Sequence, residues 1–357
     1  MTPSVRVAVI FGGQNTEHGV SLKSAASVMQ HLDRDRYEVV PVRITVEGEW
    51  IVGTDRQAGT VDESTLRLMT PDRAEPLSAA ESLFRAIEAI RNVDVVFPVL
   101  HGAFGEDGTV QSVLELAGVA YVGSGVLASA ASMDKEFTKK ILVADGLTVA
   151  GGVVLRDDEQ VGDGDRERLG LPVFVKPAHG GSSIGVSRVT DWSALAAAVE
   201  VARLSDTKVL VEAAVPGREI DVGVLQMPDG RIVASPPLEI RVATEHGFFD
   251  FEAKYEQGIT EFMVPADLEP GHTKHLQEEA VRVFRALGCA GLLRVDFFMA
   301  ADGALTVNEV NTMPGMTAMS QFPRMWQAAG TDYPALLDLL LRTALVNRRP
   351  ATPALPS

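Results

Sequence analysis

Two acids, an arginine and an asparagine fall within one short stretch, GLLRVDFFMAADGALTVNEVNT (291–312). Asp302-Gly303 between two apolar runs is a hairpin signal. With that pair as a two-residue turn, Asp296 falls opposite Glu309 and Arg294 opposite Asn311. Residues two apart share a strand face, so the four side chains form one patch, with facing Cβ atoms about 4.5–5.5 Å apart. Two carboxylates that close repel each other. A divalent cation between them removes the repulsion, and Asn311 adds a neutral oxygen. An oxygen-only set with few protein ligands suits Mg²⁺ or Mn²⁺ shared with phosphate groups. The competing reading is a solvated hairpin whose acids are neutralised by Arg294 alone.

A second group of residues suits a phosphate. FVKPAHGGSSIGV (174–186) puts Lys176 near a strand end, ahead of a loop with Gly180, Gly181, Ser182, Ser183 and Gly185. Small residues let backbone N–H groups approach phosphate oxygens closely. GK[ST] is absent and no helix follows, so neither the Walker loop nor the dinucleotide fingerprint is present. A flap over a phosphate is one reading and an ordinary turn the other. VLVEAAVPGREIDVGV (209–224) sets Glu212 at one strand end and Glu219 at the next strand's start. Each can accept from a ribose hydroxyl or an adenine amino group, or be an ordinary strand-end acid. FFDFEAKYEQG (248–258), with Lys254-Tyr255 near its end, reads as a lid closing over a site, about 247–260, or as a loop packed on its domain.

These residues need elements to hold them. VRVAVIF (5–11), YEVVPVRIT (37–45), DVVFPVL (94–100) and AYVGS (120–124) read as strands, separated by helices over Val20–Leu32, near 81–91 and near 109–117. That alternation predicts a Rossmann-like parallel sheet wrapped on both faces, an N-terminal α/β domain over 1–130. A central α+β unit over 131–225 follows. Residues 125–145 read as helical with Met133-Asp134-Lys135 inside, 157–168 as a solvated loop, and LPVFVKPA, VSRV, KVLVEAAV and REIDVGVLQ as four strands broken by a helix near 192–203. The third part, 226–357, holds a helix over 271–287, the two hairpin strands, and helices over 318–329 and 334–347.

The 357 residues suit two or three domains, and 46% hydrophobic with 22% charged is an ordinary globular balance. A net charge of -16 argues against a duplex nucleic acid partner. The single cysteine, Cys289, forms no intrachain disulfide, fits a reducing cytosol, and reads as a small buried hydrophobe rather than a nucleophile. No signal-peptide pattern or membrane-spanning run is present, so a cytoplasmic location is expected.

In order along the chain, FGGQNTEHGVS (11–21), PVLHGAFGEDGTVQ (98–111), MDK (133–135), VKPAHGGSSIGV (175–186), EAKY (252–255), RVDFF (294–298) and NEVNTMPGMT (308–317) resemble the motifs of the D-alanine:D-alanine ligase family, within the ATP-grasp superfamily. The resemblance implies a two-part ATP-grasp fold after the N-terminal domain. It implies that D-alanine and ATP are the substrates, with two Mg²⁺ or Mn²⁺ ions and a homodimer. Lys135 and Lys176 would bind ATP phosphates, with Ser182 and Ser183 in the covering loop. Glu212 and the backbone through Val215 would take adenine, Glu219 the ribose, and Lys254 would reach phosphate from the lid. Asp296, Glu309 and Asn311 would hold the metal. Glu17 would bind the first D-alanine's ammonium, with His101 nearby. Arg294 would stabilise an oxyanion. Glu17, Ser182 and Tyr255 would form a hydrogen-bonded triad closing the lid, and Gly315 and Ser320 would contact the second D-alanine. Each of these also has a plain structural reading: Glu17 as part of a helix cap, His101 as a strand end, Ser182 as a turn residue, Tyr255 as packing. AMSQFP (318–323) keeps Ser320, but Met319 and Gln321 stand where several members have His and Leu. The alternatives are D-alanine:D-lactate or D-alanine:D-serine ligation, for peptidoglycan precursors in each case, and a nucleotide-binding regulator on the same fold.

Overall fold

The computed structural model describes residues 5–54, 61–67, 69, 77–242 and 260–347. The first unit runs β1 (Val5–Gly12), α1 (His18–His31), β2 (Tyr37–Ile44), β3 (Trp50–Val52), α2 (Glu63–Arg67), α3 (Ala79–Ile90), β4 (Val95–Pro98), α4 (Thr109–Ala117) and β5 (Ala120–Tyr121). The sheet order is β3-β2-β1-β4-β5, parallel except for the edge strand β3, which was not foreseen. β1 is apolar without alternation because both of its faces are covered. Val7, Val9 and Phe11 pack towards α1, while Ala8 and Ile10 pack towards α3 and α4.

Next come α5 (Val126–Met133), α6 (Lys135–Ala144), β6 (Gly152–Leu155), α7 (Asp163–Leu169), β7 (Val173–Pro177), β8 (Ser187–Val189), α8 (Leu195–Arg203) and β9 (Val209–Ala213), with the second sheet ordered β6-β9-β7-β8. Two expectations need correction here. The helical stretch over 125–145 is two helices that meet at Asp134, whose carboxylate accepts from Glu136 N and Phe137 N and so starts the second. The segment read as a solvated loop contains α7, whose acidic first turn and basic last turn suit the helix dipole.

The third sheet holds β10 (Arg218–Gln226), β11 (Ile232–Ala234), β12 (Leu238–Val242), β13 (Thr260–Met263), β14 (Leu292–Met299) and β15 (Leu305–Asn311), in the order β13-β12-β10-β14-β15 with β11 on β10. α9 (Pro270–Ala286), α10 (Gln321–Ala328) and α11 (Tyr333–Val346) complete the elements of the described residues. β10, grouped from sequence with the central strands, pairs along its length with β14. α10 and α11 return to the first unit: Trp326 and Leu340 join the core that contains Phe11, and Tyr37 Oη donates to Asp338 at 2.7 Å.

The hairpin is not the two-residue turn expected. Ala300 pairs with Ala304 around Ala301-Asp302-Gly303, with Gly303 in the left-handed region at φ 85°. That loop alone would slip the register by one residue. A bulge between Asp296 and Phe297 of β14, where Phe297 faces Val307, leaves Asn308 as the extra residue and restores the register. Asp296 therefore does face Glu309, and Arg294 does face Asn311.

Candidate active site

Two cavities meet at the junction of the three sheets. The larger, about 830 Å³, is walled by Phe174, Lys176 and Glu212 of the second sheet and by Glu219, Asp296 and Phe298 of the third, with Val215 in the connecting segment. The smaller, about 340 Å³, is reached by Glu17 and His101 of the first unit, Ser182, Asn311, and Gly315 and Ser320 after β15. Lys135, Gly180, Gly181, Arg294, Glu309 and Gln321 line both. Lys254 and Tyr255, with most of the expected lid, lie outside the described residues.

The loop after β7 divides the cavities. Ser183 faces the larger and Ser182 the smaller. Both have left-handed φ, 59° and 51°, a conformation that costs about 1–3 kcal/mol in a non-glycine residue. Ser182 is held by its Oγ, which donates to Glu17 Oε1 at 2.5 Å. Glu17 begins α1 but makes no side-chain cap, so its carboxylate is spent on Ser182 rather than on the helix. Gly102 and Gly181 enclose the other oxygen: a Cβ at either would sit 2.5 or 2.9 Å from Glu17 Oε2. A hydrogen bond to an ionised group contributes about 1.5–3 kcal/mol. Ser182→Ala should therefore speed backbone amide exchange across Gly180–Gly185 by about tenfold or more, measured by hydrogen–deuterium exchange; unchanged protection would refute the anchor.

Asn15 ties together the two loops that bring Glu17 and His101 to the smaller cavity. Its amide donates to the carbonyls of His101 and Ala103 at 2.8 and 2.6 Å, and its Oδ1 accepts from Glu17 N at 2.9 Å. His101 is buried, with Nδ1 3.0 Å from the Met313 carbonyl and Nε2 3.1 Å from Ser24 Oγ. A carbonyl only accepts, so Nδ1 carries the proton. Burial lowers its pKa against the opposing pull of Glu17 and the Met313 carbonyl, and the imidazole is a neutral wall with both nitrogens engaged.

Glu106 was missed. Its carboxylate accepts from Gly102 N at 2.7 Å and Met313 N at 3.1 Å, stapling the first unit to the segment after β15. Burial, reinforced by Glu17, pushes its pKa up to about 8. An acid whose folded pKa is raised holds more protons folded than unfolded. Between about pH 4.5 and 8, each rise in pH therefore costs folded-state stability. The melting temperature should fall over that window relative to Glu106→Gln; a pH-independent difference would overturn the assignment.

In the larger cavity, Lys176 Nζ lies 2.8 Å from Glu212 Oε2, and Lys139 of α6 lies 2.9 Å from Oε1. Burial alone would raise the Glu212 pKa, but the two lysines hold it below the usual range. Burial likewise opposes the charge on Lys176, and Glu212 and Glu309 outweigh it. Glu212 is thus a buried anchor for two lysines. Lys139 carried no motif to mark it, although its place one turn after Lys135 on α6 puts both on one helix face.

At the shared wall, Lys135 Nζ donates to Gly180 O at 2.6 Å and pairs with Glu309 Oε1 at 2.9 Å. Arg294 grips Asp296 with Nε and Nη2 at 2.7 and 2.8 Å. Burial opposes its charge, but Asp296, Asp221 and Glu309 raise its pKa still further. Among the described residues no group of three His, Cys, Asp or Glu is arranged for a metal. The set here reaches three donors only through the amide of Asn311. Asn311 Oδ1 is buried with no hydrogen-bond partner, a neutral oxygen beside two acids. This set fits a hard, oxygen-seeking divalent cation. Cys289, with its thiol pushed by burial up to about 12, is inert. Gly315 lies against Ser320, whose Oγ is 2.7 Å from Thr317 Oγ1.

Residues 6–124 match the model described as D-ala D-ala ligase N-terminus, and 141–342 match D-ala D-ala ligase C-terminus. A D-alanine--D-alanine ligase from Mycolicibacterium vanbaalenii and one from Nocardia farcinica are each 52% identical to the chain, covering 97% of it and 99% of themselves. A D-Ala:D-Ser ligase from Enterococcus faecalis superposes with TM-score 0.79 at 34% identity, over 96% of this chain and 100% of its own. A D-alanine--D-alanine ligase from Bacillus anthracis complexed with ATP superposes with TM-score 0.76 at 30% identity, over 97% and 99%. Among the described residues no helix is long and apolar enough to cross a membrane.

Proposed function

The chain belongs to the D-alanine--D-alanine ligase family, and from that premise we propose how its two joined cavities carry the ATP-dependent condensation of two D-alanines into D-alanyl-D-alanine for peptidoglycan precursors. The observation that supports this reading is the wall common to both cavities, where Lys135, Glu309 and Arg294 face a nucleotide space on one side and an amino-acid space on the other.

A carboxylate is a poor electrophile because its leaving group would be oxide. Transfer of the γ-phosphoryl group to a D-alanine carboxylate oxygen, with ADP leaving, gives an acyl phosphate. Lys135 and Lys176 neutralise phosphate charge from the larger cavity, under the loop that carries Ser183. Lys254 adds to this from the lid. Val215 and Glu219 border the base and ribose, and Glu212 acts through the two lysines it anchors. Glu17 takes the first D-alanine's ammonium, and His101 walls its pocket. The second D-alanine sits by Gly315 and Ser320. Its amine, once deprotonated, attacks the acyl carbon, and phosphate leaves. Arg294 donates to the oxyanion that develops there. Glu17, Ser182 and Tyr255 hold the lid closed, because an acyl phosphate hydrolyses in water.

ATP and a divalent metal are required. Asp296, Glu309 and Asn311 are the residues that would hold Mg²⁺ or Mn²⁺, in our reading two ions, and the metal supplies charge neutralisation of the phosphates there. A cytoplasmic homodimer completes the proposal; light scattering on the purified chain tests the oligomer.

Phosphate release with D-alanine as donor and D-alanine, D-serine or D-lactate as acceptor, and with L-alanine replacing D-alanine, with products identified by mass, tests the assignment. D-alanyl-D-alanine as the main product is expected. Turnover only with D-lactate or D-serine as acceptor would move the chain to a sister ligase. ATP binding without any acceptor-dependent product would make it a regulator.

A further inference from the structure

Gln321, the first residue of α10, borders both cavities and stands where the family resemblance leads one to expect leucine. Its amide is engaged on both sides. Gln321 Oε1 accepts from Arg294 Nη1 at 3.1 Å, and Gln321 Nε2 donates to Asp221 Oδ2 at 3.0 Å. Asp221 lies on β10 directly opposite Asp296 of β14 and is wholly buried. Its Oδ2 is also 3.4 Å from Arg294 Nε, and its Oδ1 has no hydrogen-bond partner. A buried acid with one oxygen unsatisfied is costly to keep. In return Asp221 gives the Gln321 amide nitrogen a fixed partner. A guanidinium only donates, so the amide oxygen must point to Arg294 and the amide nitrogen to Asp221.

We propose that Asp221 and Gln321 are a positioning pair for Arg294, with Gln321 setting the pitch of the guanidinium at the boundary between the cavities and Asp221 setting Gln321. Asp296 alone holds two donors on one edge of the fork and leaves the plane free to rock about that edge. The Gln321 contact on Nη1 removes that freedom. A guanidinium has five N–H donors. With Nε and one each from Nη1 and Nη2 committed to Asp296 and Gln321, the outer N–H of each terminal nitrogen is fixed in direction for the reacting oxygen. This pays off only when the oxyanion forms, so it is expressed in kcat rather than in substrate affinity. The pair rests on the assignment of Arg294 made above.

The test is steady-state kinetics on the full-length enzyme with ATP and D-alanine. Gln321→Leu should lower kcat by about tenfold with both KM values within about twofold, the range expected when a polar donor is misplaced by a fraction of an ångström. Gln321→Glu keeps an acceptor for Arg294 but removes the N–H that donates to Asp221, and should lose at least as much. Adding Asp221→Asn to Gln321→Glu restores a donor–acceptor pair with its direction reversed, and should return kcat to within about threefold of the parent. In an Arg294→Lys background, Gln321→Leu should cost less than about twofold. Unchanged kcat in Gln321→Leu, no rescue in the double variant, or an undiminished tenfold loss in the Arg294→Lys background would each overturn the pair. If Arg294→Lys itself keeps parental kcat, charge alone suffices at this position and the pair, which acts through the directions of the guanidinium donors, falls. A normal loss in Arg294→Lys combined with no rescue removes the pair alone.

Discussion

Glu309→Gln should reduce turnover by about a thousandfold or more while the melting temperature moves by only a few degrees. The substitution keeps the shape of the side chain and removes one charge from the oxygen set that faces the phosphates. A metal's stabilisation of charge in phosphoryl transfer amounts to several kcal/mol, and about 4 kcal/mol is three orders of magnitude in rate. Stability is less affected because Glu309 is partly exposed, and its partner Lys135 keeps the Gly180 carbonyl at 2.6 Å. Asp296→Asn should lose activity to a similar degree but also lose stability. Asp296 is buried and holds both donors of Arg294's edge, and breaking a buried pair from one side costs about 3–5 kcal/mol. Asp221 and Gln321 remain on the guanidinium and limit that loss. ADP formation followed with varied Mg²⁺ or Mn²⁺, together with thermal melts of both variants, checks the pair of outcomes. Parental turnover in Glu309→Gln would remove the metal from this site.

The same hairpin shows what sequence can and cannot reveal. Apolar runs around Asp302-Gly303 were enough to place β14 and β15 and to predict that Asp296 faces Glu309. Asp302-Gly303 suggests a two-residue turn, whereas the loop has three residues and a bulge at Asn308 makes up the difference. A bulge leaves no local mark in residue type, because it is set by what the strand must aim at. The parallel sheet was legible for the opposite reason: helices covering both faces make its strands continuously apolar. Missed residues share one property. Lys139, Glu106, Asn15 and Asp221 act through partners distant in sequence, such as Glu212 for Lys139 or Met313 for Glu106. No spacing rule joins such pairs. Glu212 itself changed meaning for this reason, since as a strand-end acid it reads as a ligand for the nucleoside, and only the fold brings two lysines against its carboxylate.

Arg294→Lys should lower kcat by about a hundredfold with folding intact, and Arg294→Met should lower both kcat and stability. The two variants separate charge from geometry. Asp221 and Asp296 face each other across β10 and β14, and both are buried. Removing the guanidinium between them, as in Arg294→Met, leaves Asp296 buried without its ion-pair partner, at a cost of about 3–5 kcal/mol. Lysine keeps a cation in place and spares that cost. It lacks the planar fork, so it cannot hold Asp296 through two bonds while presenting further donors to a reacting oxygen. Loss of one well-placed oxyanion donor costs about 2.7–4 kcal/mol, or two to three orders of magnitude in kcat. The same charge without the same directions should recover little of it. Because the donor is needed only as the tetrahedral intermediate forms, KM for D-alanine and ATP should stay near parental values in the lysine variant. A lysine variant with full kcat would mean that charge alone suffices at this position, and the bidentate grip on Asp296 would then be a structural feature with no part in the reaction.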